Sequence, residues 1–198
     1  MPDSLPLFPL ETVLFPGARL PLRLFESRYI DMVRECLRKE TGFGVVWRMD
    51  TSIEQPGGHA RVGTEAVISD FSTHDDGLLG IECQGQRRFI VRATRARDNG
   101  LLIADVDWLA DQPAQAVGPQ HAALQTLLRE ILQFRELAGL IDADADDAVS
   151  LSFGLAAILK IDLPRLQNLL ELTRADQRLD ALAKIVESGA PSDGDDSA

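Results

Sequence analysis

Cysteine, histidine and lysine are scarce in this 198-residue chain, and each shortage closes off a class of chemistry. Cys36 and Cys83 are too few and too far apart for a secreted disulfide framework or a zinc site. His59, His74 and His121 fall in stretches of different expected structure. No His-x-x-x-His or Cys-x-x-Cys spacing joins them, so no metal site is expected. Lysine stands only at Lys39, Lys160 and Lys184, and no glycine precedes a lysine, so the phosphate-cradling Walker loop is missing. No Gly-x-Ser-x-Gly elbow presents a serine nucleophile. No apolar run approaches the roughly 20 residues of a membrane span, and the opening Met1-Pro2-Asp3-Ser4 has no basic leader region. The expectation is a cytoplasmic protein with no cofactor, no metal and no membrane partner.

Some fragments imitate functional motifs and fail on detail. Gly42-Phe43-Gly44 begins a dinucleotide fingerprint, but Val45-Val46-Trp47 follows where a third glycine and a helix belong; flexible strand entry is the plainer reading. His74-Asp75-Asp76 offers cation or proton-relay chemistry but falls on a predicted hairpin turn, where such residues are ordinarily solvated. Cys36 needs cationic neighbours to become a nucleophile, yet it shares a helix face with Val33 and Leu37, the setting of a core thiol. Asp142, Asp144, Asp146 and Asp147 resemble the opening of a calcium loop, whose sixth position takes glycine and whose twelfth takes glutamate. Here those places hold Asp147 and Phe153, so the aspartates are expected to form a solvated connection that caps the following helix.

What the chain has is enough apolar substance for a core, 45% of residues, and a net charge of -11. That charge opposes polyanions, so nucleic acid is a disfavoured partner. Residues 1–110 carry 13 basic and 16 acidic side chains and residues 111–198 carry 7 and 15, which puts most of the excess in the C-terminal part.

From Leu5 to Leu109 the apolar residues come in short runs separated by turn chemistry such as Pro16-Gly17, Pro56-Gly57-Gly58, Asp75-Asp76-Gly77 and Asp98-Asn99-Gly100. The pattern predicts strands over about 4–10, 19–25, 43–49, 61–72, 78–84, 86–97 and 101–109. The last four form an antiparallel meander, with hairpin turns at Asp76-Gly77 and Asn99-Gly100. Pro6, Pro9 and Pro21 weaken the first two strands, which must lie at an edge or turn the donor-less side away from a ladder. One helix, Ser27 to Glu40, places Ile30, Val33, Cys36 and Leu37 at helical spacing, with Ser27 or Glu26 as its cap. Many short strands, a single local helix and no repeated βαβ unit indicate a partly closed barrel within an α+β fold.

Residues 110–118 have linker composition, and helices follow. Leu124, Leu127, Leu128, Ile131, Phe134 and Leu137 make an apolar stripe, and Val149 to Leu159 make a more uniformly apolar, hence more buried, helix. Pro164 opens a short helix through Leu172, and Thr173-Arg174-Ala175-Asp176 reads as a capping-box variant launching a last helix to about Glu187. The organisation is thus a mostly β subdomain over 1–110, an α-helical subdomain over 118–187 and a disordered acidic tail over 188–198.

Arg87, Arg88, Arg92, Arg95 and Arg97 form the one dense basic strand. On a β-ribbon they would meet phosphates or an acidic partner. The competing reading pairs them with Glu82, Asp98, Asp105 and Asp107 on neighbouring strands.

Leu5-Pro-Leu-Phe-Pro-Leu10, then Val13-Leu-Phe-Pro-Gly17, Leu20-Pro-Leu22, Phe25-Glu26 and Arg28-Tyr29 follow one another in an order that resembles the start of the Lon protease N-terminal domain. The similarity continues through Phe43-Gly44-Val45-Val46, Val62-Gly63-Thr64, Ala66, Ile68, Asp76-Gly77, Gly85 and Arg88-Phe89. It returns at Leu163-Pro164, Leu169-Leu170-Glu171-Leu172 and Arg178-Leu179, covering roughly residues 4–187. The resemblance implies a free-standing PUA-like β pseudo-barrel with one inserted helix, followed by an α-helical bundle. It also implies a non-enzymatic module that binds unfolded polypeptide or a specific protein partner, without the nucleotide-binding and Ser-Lys protease parts of Lon. A PUA-like RNA binder using the arginine strand, an adaptor subunit and a small hydrolase with a spatially assembled site are the competing readings. Phe15, Pro16 and Gly17, with Glu26, Arg28 and Tyr29, are the candidate protein-binding surface; the alternative is that they pin the barrel.

Overall fold

The structure is a computed structural model that describes residues 3–49, 58–73 and 78–189. The Pro56-Gly57 turn, His74 with Asp75, the Asp76-Gly77 turn and the tail from residue 190 lie outside the described residues. The chain divides into two compact units, Met1–Asp111 and Gln112–Ala198.

The first unit contains strands β1 (Asp3–Leu10), β2 (Arg19–Leu24), β3 (Phe43–Trp47), β4 (Val62–Thr73), β5 (Leu79–Ala96) and β6 (Leu102–Trp108), with helix α1 (Ser27–Lys39) between β2 and β3. They form one mixed sheet in the order β2-β5-β4-β3-β1-β6, and β6 also pairs with β5, so the run from β5 through β4, β3, β1 and β6 returns to β5. Among the described residues only β1 and β3 run parallel.

One strand expectation is corrected and one is met. The segments 78–84 and 86–97 are one strand, β5, because Gly85 continues the ladder where its composition suggested a break. The proline-bearing β1 is an interior strand, while β2 lies at the edge. The registers explain how β1 tolerates its prolines: pairing with β6 covers Asp3 to Leu7 and pairing with β3 covers Leu7 to Leu10. Pro6 therefore precedes the β3 ladder and Pro9 follows the end of the β6 ladder, so each has one flank with no ladder bond to forfeit.

Alternation along β1 sends Leu5 and Leu7 into a core cluster with Val46, Phe89, Val91, Ala104 and Val106. Phe8 instead stacks on Tyr29 of α1, with ring centroids 3.8 Å apart. Helix α1 buries Tyr29, Met32, Val33 and Cys36, a stripe at helical spacing. Leu37, expected on that face, is 45% exposed. The expected side-chain cap is also absent: Glu26 occupies the N-cap, but its carboxylate pairs with Arg28 at 2.6 Å.

In the second unit the single expected helix over 124–137 breaks into α2 (Ala122–Ile131) and the short α3 (Arg135–Ala138). The remaining helices are α4 (Ala148–Ile158), α5 (Leu163–Glu171) and α6 (Ala175–Glu187). Asp147 caps α4 by accepting from the N–H groups of Val149 and Ser150, and Asp162 caps α5 by accepting from Arg165 N–H. Such caps are each worth about 1 kcal/mol. At α6 the expected capping box is replaced: Arg174 is the N-cap and its guanidinium holds Asp176 at 2.5 Å. The segment expected to be a linker is docked, since Gln115 N–H donates to Asp147 and Ala148 N–H donates to Gln115 O. Helix α4 is buried from Leu151 to Ala156 without a break, as its uniform apolarity requires. Among the described residues no helix is long and apolar enough to cross a membrane.

Candidate functional site

Phe15-Pro16-Gly17-Ala18 is a type II turn. Gly17 has φ 80° and Ala18 N–H donates to Phe15 O at 3.1 Å. The turn is fastened to the sheet by Gly17 N–H to Gly85 O (2.9 Å), by Gly85 N–H to Ala18 O (2.8 Å) and by the buried Thr64 hydroxyl, which donates to Leu14 O at 2.6 Å. A Cβ on Gly85 would lie 2.2 Å from Phe15 O, so this position admits only glycine. Phe15 itself is 1% exposed.

The second candidate group fastens α1. Arg28 pairs with Glu26, lies 4.8 Å from the Tyr29 ring centroid and donates to Gly100 O at 3.2 Å, at the turn between β5 and β6. Tyr29 is buried, and burial pushes its phenol above the ordinary value, against a smaller opposing effect of Arg28. About two helical turns further on, Glu35 accepts from Arg97 (2.8 Å) and Lys39 (2.7 Å), and these bonds hold its carboxyl down at about 2. Two cationic contacts thus bind α1 to the end of β5 and its turn.

The arginine strand is charge-paired. Arg92 meets Asp107 at 2.5 Å, Arg95 meets Asp105 at 2.8 Å and also Ser4, Arg97 meets Glu35, and Arg87 meets Glu65 at 3.2 Å while stacking over Trp108. Arg88 is buried, where desolvation weighs against its charge and Asp111 offsets it. Glu82, expected to pair with this strand, meets Arg19 instead. The concavity beside Arg92 is lined by Asp3, Asp105, Asp107 and Trp108, so the charge facing a ligand there is largely acidic.

The cysteines are core thiols. Cys36 donates to Gly42 O at 3.5 Å, and burial pushes Cys36 up to about 11 and Cys83 up to about 12. Among the described residues no cluster of three or more His, Cys, Asp or Glu side chains is placed to hold a metal ion. Asp144 and Asp146, read as a solvated connection, accept from Asp146 N–H and from Gln125 and Arg129 respectively.

An apolar groove of about 370 Å³ opens on the outer side of α1, and sequence reasoning missed it. Helix α1 contributes Ile30, Val33, Arg34 and Leu37, β2 contributes Leu24, and the β4 and β5 ends contribute Phe71, Leu78 and Leu79. Phe71 is 65% exposed, and Phe25, which joins β2 to α1, is 74% exposed. Phe71 also borders a second concavity with Pro21, Leu22, Arg23 and Ile81. None of the six residues expected to form a protein-binding surface lines the groove; Glu26, Arg28 and Tyr29 instead fix the helix that forms its wall.

Comparison with known proteins places these features in a family. The model of the ATP-dependent protease La (LON) substrate-binding domain matches residues 4–188. A solved Lon N-terminal domain protein from Xanthomonas campestris is 37% identical, with a TM-score of 0.79, covering 92% of this chain and 98% of that one. The N-terminal domain of Mycobacterium avium complex Lon protease shares the fold at 17% identity, with a TM-score of 0.66 over 95% of this chain and 100% of that one. The Lon protease of Cytophaga hutchinsonii is 27% identical over 94% of this chain, which spans only 24% of that protein's length.

Proposed function

Because the chain belongs to the Lon substrate-binding domain family, we propose that it is a non-enzymatic module that holds unfolded polypeptide by its apolar side chains. The observation that carries this reading is the groove along α1, where Leu37 and Phe71 stand 45% and 65% exposed beside an apolar floor. Apolar area left in water is recovered on contact at about 25 cal/mol per Å². An apolar patch on an otherwise charged surface is a recurrent mark of interaction sites. Burying one Leu- or Phe-sized side chain is worth about 1.5–3 kcal/mol. Two or three such anchors recover about 3–9 kcal/mol before the cost of association is subtracted, so the groove binds weakly, in the high micromolar range at the tightest.

On this reading the closed run of pairings from β5 back to β5 is the PUA-like pseudo-barrel of a subdomain over 1–110, with α1 as its inserted helix, and residues 118–187 are the helical subdomain. Phe15, Pro16, Gly17, Glu26, Arg28 and Tyr29 act as scaffold beneath the groove. The ion-paired state of Arg87, Arg92, Arg95 and Arg97 speaks against the RNA-binding alternative.

The test is a titration of a fluorescent, permanently unfolded polypeptide with the protein. Weak but saturable binding, approached at high micromolar protein, is expected. Absence of saturation at high micromolar protein contradicts the reading, and one stoichiometric folded partner bound in preference would replace it with an adaptor role.

A further inference from the structure

We propose that an unfolded polypeptide at this groove is held as an added strand along the free edge of β4 beyond Ala66, with every second side chain entering the groove beside Phe71. The proposal rests on the polypeptide-binding reading above and specifies how the main chain is recognised.

Strand β4 outruns one of its partners. Its pairing with β3 covers only residues 64–66, while its pairing with β5 continues to Thr73. Carried backwards, β3 would set residues 40–42 beside 67–69. Glu40 instead adopts φ 54° to close α1, and Thr41 N–H donates to Cys36 O, so the chain joins the sheet only at Phe43. Among the described residues no strand lies along the outer side of residues 67–73.

Gly85 decides which main-chain groups this edge offers. Its N–H donates to Ala18 O and its carbonyl accepts from Gly17 N–H, both on the side of β2. By the alternation of an antiparallel ladder, Cys83, Ile81 and Leu79 also bond towards β2. Their partners on β4, which are Ile68, Phe71 and Thr73, therefore turn N–H and C=O outward. The register shift between Ile68 and Asp70 absorbs the extra Ser69, so the outward residues stay opposite every second residue of β5. That spacing, about 7 Å, is the repeat a further strand needs. Phe71 N–H, with no strand to receive it, donates to the Asp70 carboxylate at 2.8 Å.

The side chains favour the same edge. Phe71 is 65% exposed and lines the groove with Leu37 of α1. A residue paired with Phe71 on an added antiparallel strand projects from the same face, into that groove. The outer side of β2 is poorer. Leu20, Leu22 and Leu24 face β5, and Pro21, between the outward Arg19 and Arg23, has no N–H to give. An extended segment with an apolar residue at every second position is thus the occupant that meets both the open ladder and the groove.

The experiment titrates the full chain with a short fluorescent peptide in which Leu or Phe alternates with Thr, and with two forms N-methylated at the apolar residues or at the Thr residues. An antiparallel added strand bonds through the residues whose side chains enter the groove. Methylation at the apolar residues is therefore expected to weaken binding about tenfold or more, and methylation at Thr by no more than about threefold. The reverse contrast supports a strand added in the parallel sense. Both forms retained alike, or both lost alike, would overturn the proposal while leaving polypeptide binding intact. If the unmethylated peptide does not bind, the reading beneath the proposal fails with it. Asp70→Ala frees Phe71 N–H and is expected to tighten the unmethylated peptide about threefold or more. Unchanged affinity, with an unchanged melting curve, would overturn the placement on β4. A dimer of the peptide-free chain that Asp70→Ala strengthens and the peptide leaves intact would give the edge to a second copy and overturn the proposal.

Discussion

The guanidinium of Arg178 lies 3.8 Å from the ring centroid of Phe153 within the helical unit, and no part of Arg178 is exposed. Its Nε donates to Ser152 Oγ at 2.8 Å, Nη1 to Leu172 O at 2.8 Å and Nη2 to Gln112 Oε1 at 3.2 Å. A buried charge is tolerable only when its donors are satisfied. This one joins α4, the α5–α6 connection and the segment preceding α2. Only the flat fork of arginine reaches several acceptors while stacking on a ring.

Replacement Arg178→Ala is expected to cost about 3–5 kcal/mol, since it leaves acceptors unsatisfied and a cavity behind. Arg178→Lys recovers only part of this. Both tryptophans, Trp47 and Trp108, are in the first unit. In urea the far-UV helix signal should therefore shift to lower denaturant more than tryptophan fluorescence does; an unmoved helix transition would contradict the role.

Gly85→Ala should destabilise the first unit by about 2 kcal/mol or more, because the new methyl meets the Phe15 carbonyl, which is backbone and cannot step aside. Gly17→Ala carries the smaller penalty of a left-handed residue, about 1–2 kcal/mol. Thermal midpoints followed by tryptophan fluorescence give the order of the two.

The Glu35 carboxyl is held at about 2 by Arg97 and Lys39, below its ordinary 4.5. A depressed carboxyl stabilises the folded state above its unfolded value, and that contribution is lost as pH falls from about 4.5 towards 2. Glu35→Gln should therefore be less stable than the parent at neutral pH, with the difference closing across this window. The effect is small and salt-sensitive because the pair lies near the surface. Melting both proteins as a function of pH checks it, and a gap that persists unchanged down to pH 2 would refute it.

Both thiols should be silent in the folded protein. With Cys36 near 11 and Cys83 near 12, about one thiolate in a thousand and one in ten thousand exist at pH 8. A colourimetric disulfide reagent should report both only after denaturant is added. Rapid labelling without denaturant would show the core around α1 to be open.

Residue pattern foretold α1 to within a residue of its observed end, the uniformly buried α4 and most of the strands, because apolar periodicity is imposed by burial itself. It failed where one residue type serves two purposes. Gly85 reads as punctuation but is demanded by the approach of Phe15 O within a continuous strand. Leu124 to Leu137 is periodic enough for one helix, yet the chain turns at Leu132 to Phe134. The groove was invisible for a related reason. Leu37 belongs to the apolar face of α1 by spacing, and Phe71 to an ordinary strand, and nothing in either local pattern says that their outer sides are left uncovered.

Since Leu37 and Phe71 are exposed, Leu37→Ser with Phe71→Ser should change stability by no more than about 0.5 kcal/mol each, the usual range for surface positions. The same double substitution should weaken binding of the unfolded polypeptide at least about tenfold, as each lost anchor removes upwards of 1.4 kcal/mol. The decisive measurement is therefore one titration of parent and double variant side by side, with melting curves on the same samples. Superimposable melts with binding lost is the predicted result; superimposable melts with binding unchanged would contradict the assignment of the groove as the polypeptide site.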